Sequence, residues 1–398
     1  MSQETVKILK MLEEGKISST EADSLLSALG GRRQGHAFKD LDVDHEHLRQ
    51  EMDILRDNIH QINPGKIVAE AMSGVREGLK GLKGLKDIRV ELDDIRGSKM
   101  AEDTKEIVVP AAGITAISAS QPRSDFEIIG SDGNDIVIKA DIQVWADEKD
   151  EAEEKLRSLD ISTENDSGTL RIKVDGPPWT KKRRAKVDFT IEMPRNIMAE
   201  ISSANGDISV SGLHKLTKLN TASGDISVSD CRGEQALSSA SGDIQASSCR
   251  EALIKINTAS GDIQVSEAEG ELAFQTVSGD VDISLSGRLH GQTVSGDVQI
   301  SSAKTSELKL RTTSGDVGFA GPMSEEAKAS IATVSGDVTI EIKGEPSISV
   351  ECGTLSGDIE CGHQMTDLKK SGRTLSGKIG SGRGSLTVET VSGDIELN

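Results

Sequence analysis

One tripeptide limits what this chain can become. Ser-Gly-Asp, or a one-residue variant of it, recurs around Gly206, Gly224, Gly242, Gly261, Gly279, Gly296, Gly315, Gly336, Gly357, Gly377 and Gly393, at spacings of 16 to 21 residues. Asn205 replaces the first serine, and Lys378 replaces the aspartate after Gly377. Self-similarity at such a period marks a repeat architecture. Apolar residues alternate around each glycine: Leu219, Leu237 and Ile256 five residues before, Ile208 and Val210, Ile226 and Val228, Ile263 and Val265 two and four after. A period of two means strands. Each repeat therefore reads as strand, corner, strand and a variable second corner. Some 18 residues cannot enclose a core alone, but stacked repeats bury one continuous core and pair along parallel ladders. The expected fold is mostly β: a parallel β-solenoid (β-helix) of about 11 coils over residues 201–398, preceded by a helical N-terminal region. At about 4.8 Å per coil the rod would be roughly 50 Å long.

Composition agrees. Hydrophobic residues make up 35% of the 398, aromatic residues only 2%, and tyrosine is absent. A globular core of that size uses aromatic rings as bulk; a thin core of Ile, Val, Leu and Thr does not need them.

The corner residues each have a physical role. Glycine supplies a backbone angle without Cβ strain, and Ser and Asp bond nearby backbone amides. Thr or Ser stands three residues before the later glycines, from Thr221 to Thr390 and including Thr374, and could form a hydroxyl ladder along the axis. Asp225, Asp243, Asp262, Asp280, Asp297, Asp316, Asp337 and Asp358 should form a column one strand spacing apart. Like charges that close repel by about 1 kcal/mol per pair in water. Two readings follow: the carboxylates cap the corners, or they hold cations. Calcium wants six to eight oxygen ligands, and the two-glycine nonapeptide of calcium-binding repeats is missing. Four cysteines lack the spacing of a disulfide framework or a zinc site. The register stacks Cys231 on Cys249 and turns Cys352 and Cys361 inward in one coil; disulfides are geometrically conceivable, and reduced, buried thiols are the expected state. The final SGDIELN has no visible cap, so an open edge is expected there, with a dimer contact or partner site on it.

Residues 1–30 read as a helical hairpin, with apolar stripes on both halves and a capping box at Ser18 and Glu21. Residues 36–100 read as a helical linker with amphipathic helices, broken at Pro64 and Gly65. Within it, Leu79, Lys80, Leu82, Lys83, Leu85 and Lys86 alternate with glycines. That is the pattern of a helix lying in a membrane surface, or of a coiled-coil helix with solvated lysines. Residues 105–200 read as an irregular β entry region, with strands at Glu106–Val109, Phe126–Ile129, Ile136–Val144, Thr169–Val174 and Ala185–Met193 and an acidic helix near Glu148–Leu159. Trp179, Lys181, Lys182, Arg183 and Arg184 form a basic cluster beside an aromatic, a solvated hairpin loop or a contact for anionic lipid or nucleic acid.

Formal charge is −20, and residues 201–398 carry 16 basic against 27 acidic side chains. An acidic body repels phosphate, which excludes nucleic acid as its ligand. A protein or cationic peptide fits better as partner, with self-association through the N-terminal helices or the C-terminal edge, and peripheral membrane contact, as further expectations. No signal peptide or membrane span is visible, so the expected location is cytoplasmic, or peripheral to the membrane. The carboxylates repeat equivalently, whereas glycoside hydrolysis needs two in distinct environments. No enzyme activity and no cofactor is expected; a cation-binding stack and a carbohydrate-active β-helix are the alternatives.

The entry Pro194–Ile197, then ISSANGDISVSG and the repeated T-x-S-G-D-[IV], resembles the bacterial "putative adhesin" β-strand-repeat family (domain of unknown function 4097). Residues 1–30 resemble the SHOCT-like helical domain that precedes it in YvlB-like and LiaX-like proteins of Gram-positive bacteria. The resemblance covers residues 1–30 and roughly 105–398. It implies a link to cell-envelope stress and antimicrobial-peptide response, and implies no catalytic residues.

Overall fold

The computed structural model describes residues 64–78, 99–177 and 185–398. The expected hairpin at 1–30, the coiled-coil reading, and the candidates Leu79, Lys80, Leu82, Lys83, Leu85, Lys86, Trp179, Lys181, Lys182, Arg183 and Arg184 lie outside the described residues.

The protein is mostly β. In chain order the strands are β1 (Lys99–Pro110), β2 (Ala116–Gln121), β3 (Phe126–Ser131), β4 (Asp135–Ala146), β5 (Asp160–Asp166), β6 (Thr169–Asp175), β7 (Ala185–Pro194), β8 (Met198–Ser203) and β9 (Ile208–Ser211). The run continues with β10 (Thr217–Ser223), β11 (Ile226–Ser229), β12 (Gly233–Ser241), β13 (Ile244–Ser247), β14 (Ala252–Ser260), β15 (Ile263–Gln275), β16 (Val281–Gln292) and β17 (Val298–Arg311). It closes with β18 (Val317–Gly321), β19 (Met323–Ala332), β20 (Val338–Ile342), β21 (Ile348–Ser356), β22 (Ile359–Cys361), β23 (Thr366–Ser371), β24 (Thr374–Ile379), β25 (Gly384–Ser392) and β26 (Ile395–Leu397). Two helices are described, α1 (Pro64–Gly78) and α2 (Lys149–Arg157). Proline opens α1, where its missing N–H costs nothing.

Strands before the corner form one parallel ladder, from β6 through β2, β8, β10, β12, β14 and the later halves of β15, β16 and β17 to β19. Strands after the corner form a second, from β7 through β3, β9, β11, β13 and the first halves of β15, β16 and β17 to β18 and β20. Equivalent residues face each other: Leu219 pairs with Leu237, and Ile226 with Ile244. Between the ladders lies one continuous apolar core that includes Leu219, Leu237, Ile256, Phe274, Leu310, Ile331 and Val388. Gly291 replaces the apolar residue in that series, and a Cβ there would sit 2.3 Å from the Phe274 ring, so the phenylalanine fills the missing side chain's space.

At both ends the stacking order departs from the chain order. The first repeat, β2–β3, lies second in the stack, inside β6 and β7. Its corner, Arg123-Ser124-Asp125, lacks glycine, which hid it in the sequence. At the other end β25 pairs with β19 on one side and β21 on the other, and β26 lies between β20 and β22. The last repeat in the chain is thus inserted between the two before it. This corrects the expectation of an open edge at SGDIELN: Ile395 and Leu397 are buried, with strands on both sides.

Gly377 is no corner. It lies inside β24, antiparallel to β21, and β23 completes a hairpin. Lysine after glycine breaks the corner chemistry there, and Thr374 stands outside the buried threonine column. This hairpin supplies the cap that the sequence did not reveal: Lys370 Nζ donates to the Ile359 carbonyl, 3.0 Å away, on the outermost strand β22, and Met365 packs against the core. A lysine on an exposed edge blocks further strand pairing.

Candidate functional site: the corner column and the polar face

The corner column is built by close approach. A Cβ on Gly224, Gly242, Gly261, Gly279, Gly296, Gly315 or Gly336 would lie 2.0 to 2.3 Å from the carbonyl oxygen of the preceding corner glycine. No side chain fits there. Backbone angle is a second cause and not a general one: Gly279 has φ +121°, but Gly206 and Gly224 are not in the left-handed region.

The aspartates bond from coil to coil. The N–H of Asp207 donates to Asp125 Oδ1, Asp225 to Asp207, Asp243 to Asp225, Asp262 to Asp243, Asp280 to Asp262 and Asp297 to Asp280. Asp316 continues to Asp297, Asp337 to Asp316, Asp394 to Asp337 and Asp358 to Asp394. At the far end Asp125 donates to Asp188. All these distances are 2.8 to 3.0 Å. Each carboxylate thus accepts a backbone N–H from the next coil, a charge-assisted bond stronger than a neutral one. The order of bonding, 337 to 394 to 358, repeats the swapped order of the strands. Among the described residues no three His, Cys, Asp or Glu side chains are grouped closely enough to hold a metal ion.

The Thr column works differently from a hydroxyl ladder. Thr276, Thr293 and Thr312 are fully buried, and each hydroxyl donates to the carbonyl of the serine two residues on, at 3.1 to 3.2 Å. Thr221 Oγ1 reaches Gly206 O and Thr354 reaches Gly393 O. The hydroxyls tie the corner's backbone and do not bond one another. Thr333 Oγ1 is buried without a described partner.

At the second corner Asp230, Ser248 and Glu267 take left-handed φ near +52°. The next residues, Cys231, Cys249 and Ala268, turn inward and are buried. The cysteines are unpaired thiols. Burial pushes the Cys231 thiol up to about 11, and burial with neighbouring Cys361 pushes Cys352 up to about 12. Such thiols are inert. Cys361, at the stack's outer strand, is only half-buried.

On the outer face of the first ladder, ion pairs join neighbouring strands, Lys218–Glu200 at 3.1 Å and Lys255–Glu234 at 2.7 Å, and Lys309 pairs with Glu307 within β17 at 2.5 Å. Lys309 holds the Glu307 carboxyl below its ordinary value. Helix α1 packs on this face across β10, β12, β14 and β15. Ala71 is fully buried, and Gly74 comes so near Asn257 that a Cβ would lie 2.5 Å from its side chain. A groove of about 450 Å³ extends from this seat over β14, β15, β16, β17 and β19. No described helix is long and apolar enough to cross a membrane.

Two family models match the sequence: Toastrack DUF4097 over residues 114–301 and 289–398, and a SHOCT-like domain over residues 3–34. No curated protein matches it. Among solved structures, a "putative cell adhesion protein" from Clostridium sporogenes is 11% identical, covering 75% of this chain and 99% of its own, with a TM-score of 0.19. A "putative adhesin" from Bacteroides fragilis is 13% identical, covering 76% and 100%, with a TM-score of 0.23. A "putative lipid binding protein" from Parabacteroides distasonis is 11% identical, covering 76% and 99%, with a TM-score of 0.24.

Proposed function

Because the chain belongs to the Toastrack DUF4097 family, we propose that it is a non-enzymatic binding scaffold of the bacterial cell-envelope stress or antimicrobial-peptide response. In this reading it is a parallel β-solenoid of about eleven coils, cytoplasmic or peripheral to the membrane, whose acidic surface takes a protein or cationic peptide. One observation carries the proposal. The aspartates recur in register and each makes the same bond to its neighbour, so none stands apart in the environment that acid–base chemistry requires. What repetition does supply is an array of like carboxylates along one edge, suited to many weak contacts with an extended cationic partner. With a formal charge of −20, association would be steered electrostatically and weakened by salt.

Calorimetric titration of the full chain with a lysine-rich amphipathic peptide tests this. Saturable binding that weakens at least tenfold between low and high salt is expected. No heat of binding at low salt would overturn it.

A further inference from the structure

The cap hairpin β23–β24 and the turn after it differ in charge from the rest of the molecule. The chain has 66 acidic against 46 basic residues, yet residues 366–383 carry Lys369, Lys370, Arg373, Lys378 and Arg383 against a single carboxylate, Asp367. Two of these cations are neutralised, Lys378 by Asp367 at 2.8 Å and Arg383 by Glu325. Lys370 bonds the Ile359 carbonyl, a neutral partner, and keeps its charge. Lys369 and Arg373 are exposed, and neither has an ion pair among the described residues.

The backbone beside these cations is strained. Asp367 and Leu368 together oppose Gly377 alone, which is a β-bulge. Asp367 takes a left-handed φ of +56°, unfavourable for a residue with a Cβ, and Lys378 grips its carboxylate. The bulge turns Leu368 outward. At 54% it is the most exposed large hydrophobic side chain among the described residues, and every residue of β23 is exposed with it. Strain that holds an apolar side chain in water points to a contact made there.

We propose that this hairpin docks on an anionic phospholipid surface, with Leu368 entering among the lipids and Lys369 and Arg373 at the headgroups. Charge complementarity argues for that occupant, because clustered cations are what an anionic leaflet attracts. An apolar side chain between them can enter the boundary of the acyl chains. Position argues for it too. The hairpin is the outermost layer of the stack, ahead of Glu351, Asp358 and Glu360 on the coil behind it. Each further coil stands back by about 4.8 Å, and exposed charges beyond about 8 Å are largely screened. A flat surface met end-on therefore feels the hairpin before the acidic body. The hairpin is distinct from the carboxylate array invoked above and opposite in charge, so the two readings fail independently.

The test is co-sedimentation of the full chain with lipid vesicles. Vesicles of phosphatidylcholine mixed with phosphatidylglycerol should bind it saturably, and phosphatidylcholine alone should not. Free glycerophosphate should not compete. Each cation near such a surface is worth about fivefold in affinity, so Lys369→Glu with Arg373→Glu should weaken binding at least tenfold. Leu368→Ser should weaken it several-fold at unchanged charge. All three positions are exposed, so Tm should not change. Absence of binding to the anionic vesicles, or tighter binding to duplex DNA than to them, would overturn the proposal. So would affinity unchanged in the double variant, which would put the contact elsewhere in the chain, or affinity indifferent to Leu368→Ser.

Discussion

The two corners of each repeat solve the same problem in opposite ways. At the Ser-Gly-Asp corner the backbones approach so closely that only glycine fits, and each carboxylate closes on the next coil's N–H. At the second corner the turn is made by Asp230, Ser248 or Glu267 in the left-handed region, followed by a small buried residue. Several sequences satisfy that demand. Register also slips there, between Val265 and Ala268 and again between Leu285 and Ser286. The first corner holds the stack in register, and the second absorbs insertions and deletions, which is why the spacing of true corners wanders from 17 to 21 residues between Gly206 and Gly357.

Substitution at the two corners should break this symmetry most visibly. Gly279→Val places side-chain atoms against the Gly261 carbonyl, 2.2 Å from the Cβ position, at a φ of +121°. It should cost about 3 kcal/mol or more in urea unfolding. Glu267→Gly, which relieves a left-handed residue, should leave stability unchanged or raise it by up to about 1 kcal/mol. Equal effects would contradict the division of labour.

The high-pH limb comes next in size. The folded Cys352 thiol is pushed up to about 12 from an ordinary value of 9.0. Below pH 9 folded and unfolded chains both keep this proton. Above it the unfolded chain releases a proton that the folded chain retains. Stability should therefore fall by up to about 1.4 kcal/mol per pH unit from this group. Cys352→Ala would remove that part of the slope in melts between pH 9 and 11, despite its own cavity cost.

A position series along the aspartate column should be graded. Asp280→Ala leaves the Asp297 N–H without its acceptor and should cost about 1–3 kcal/mol. Asp280→Asn keeps an oxygen and should cost less. Asp358 lies on the outermost repeat, where its carboxylate closes no further coil, so Asp358→Ala should cost least. A uniform cost along the series would mean that the bonds between coils are not what the aspartates contribute.

The smallest expected difference concerns the threonines. Thr276→Val removes a made bond and should cost about 1 kcal/mol. Thr333→Val removes a hydroxyl with no described partner and should be neutral or slightly stabilising. Thermal melts of the pair would resolve the contrast.

These contrasts also explain what the sequence reveals. Ser-Gly-Asp was legible because one chemical solution serves every coil from Gly206 onward, so the mostly β, stacked character could be read directly. The repeat at Asp125 escaped notice because it lacks glycine, although Asp125 is bonded into the same column. Gly377 misled for the converse reason: the glycine is present, but Lys378 cannot accept the bond that Asp supplies elsewhere. The swapped last repeat left no local signal, since Ile395 and Leu397 would face inward in either order. The groove beside α1 was invisible because its lining gathers single residues from repeats some 18 positions apart, onto a seat set by a distant helix.

The account rests on one column of corners in a specific order, with the last repeat between its two predecessors. Cysteine cross-linking reads that order directly. In a background without the four native cysteines, Thr339→Cys with Glu396→Cys places thiols on paired, outward-facing positions of β20 and β26. Thr339→Cys with Glu360→Cys separates them by a strand. Oxidation should bridge the first pair rapidly and leave the second unbridged. Efficient bridging of the second pair and none of the first would contradict the order.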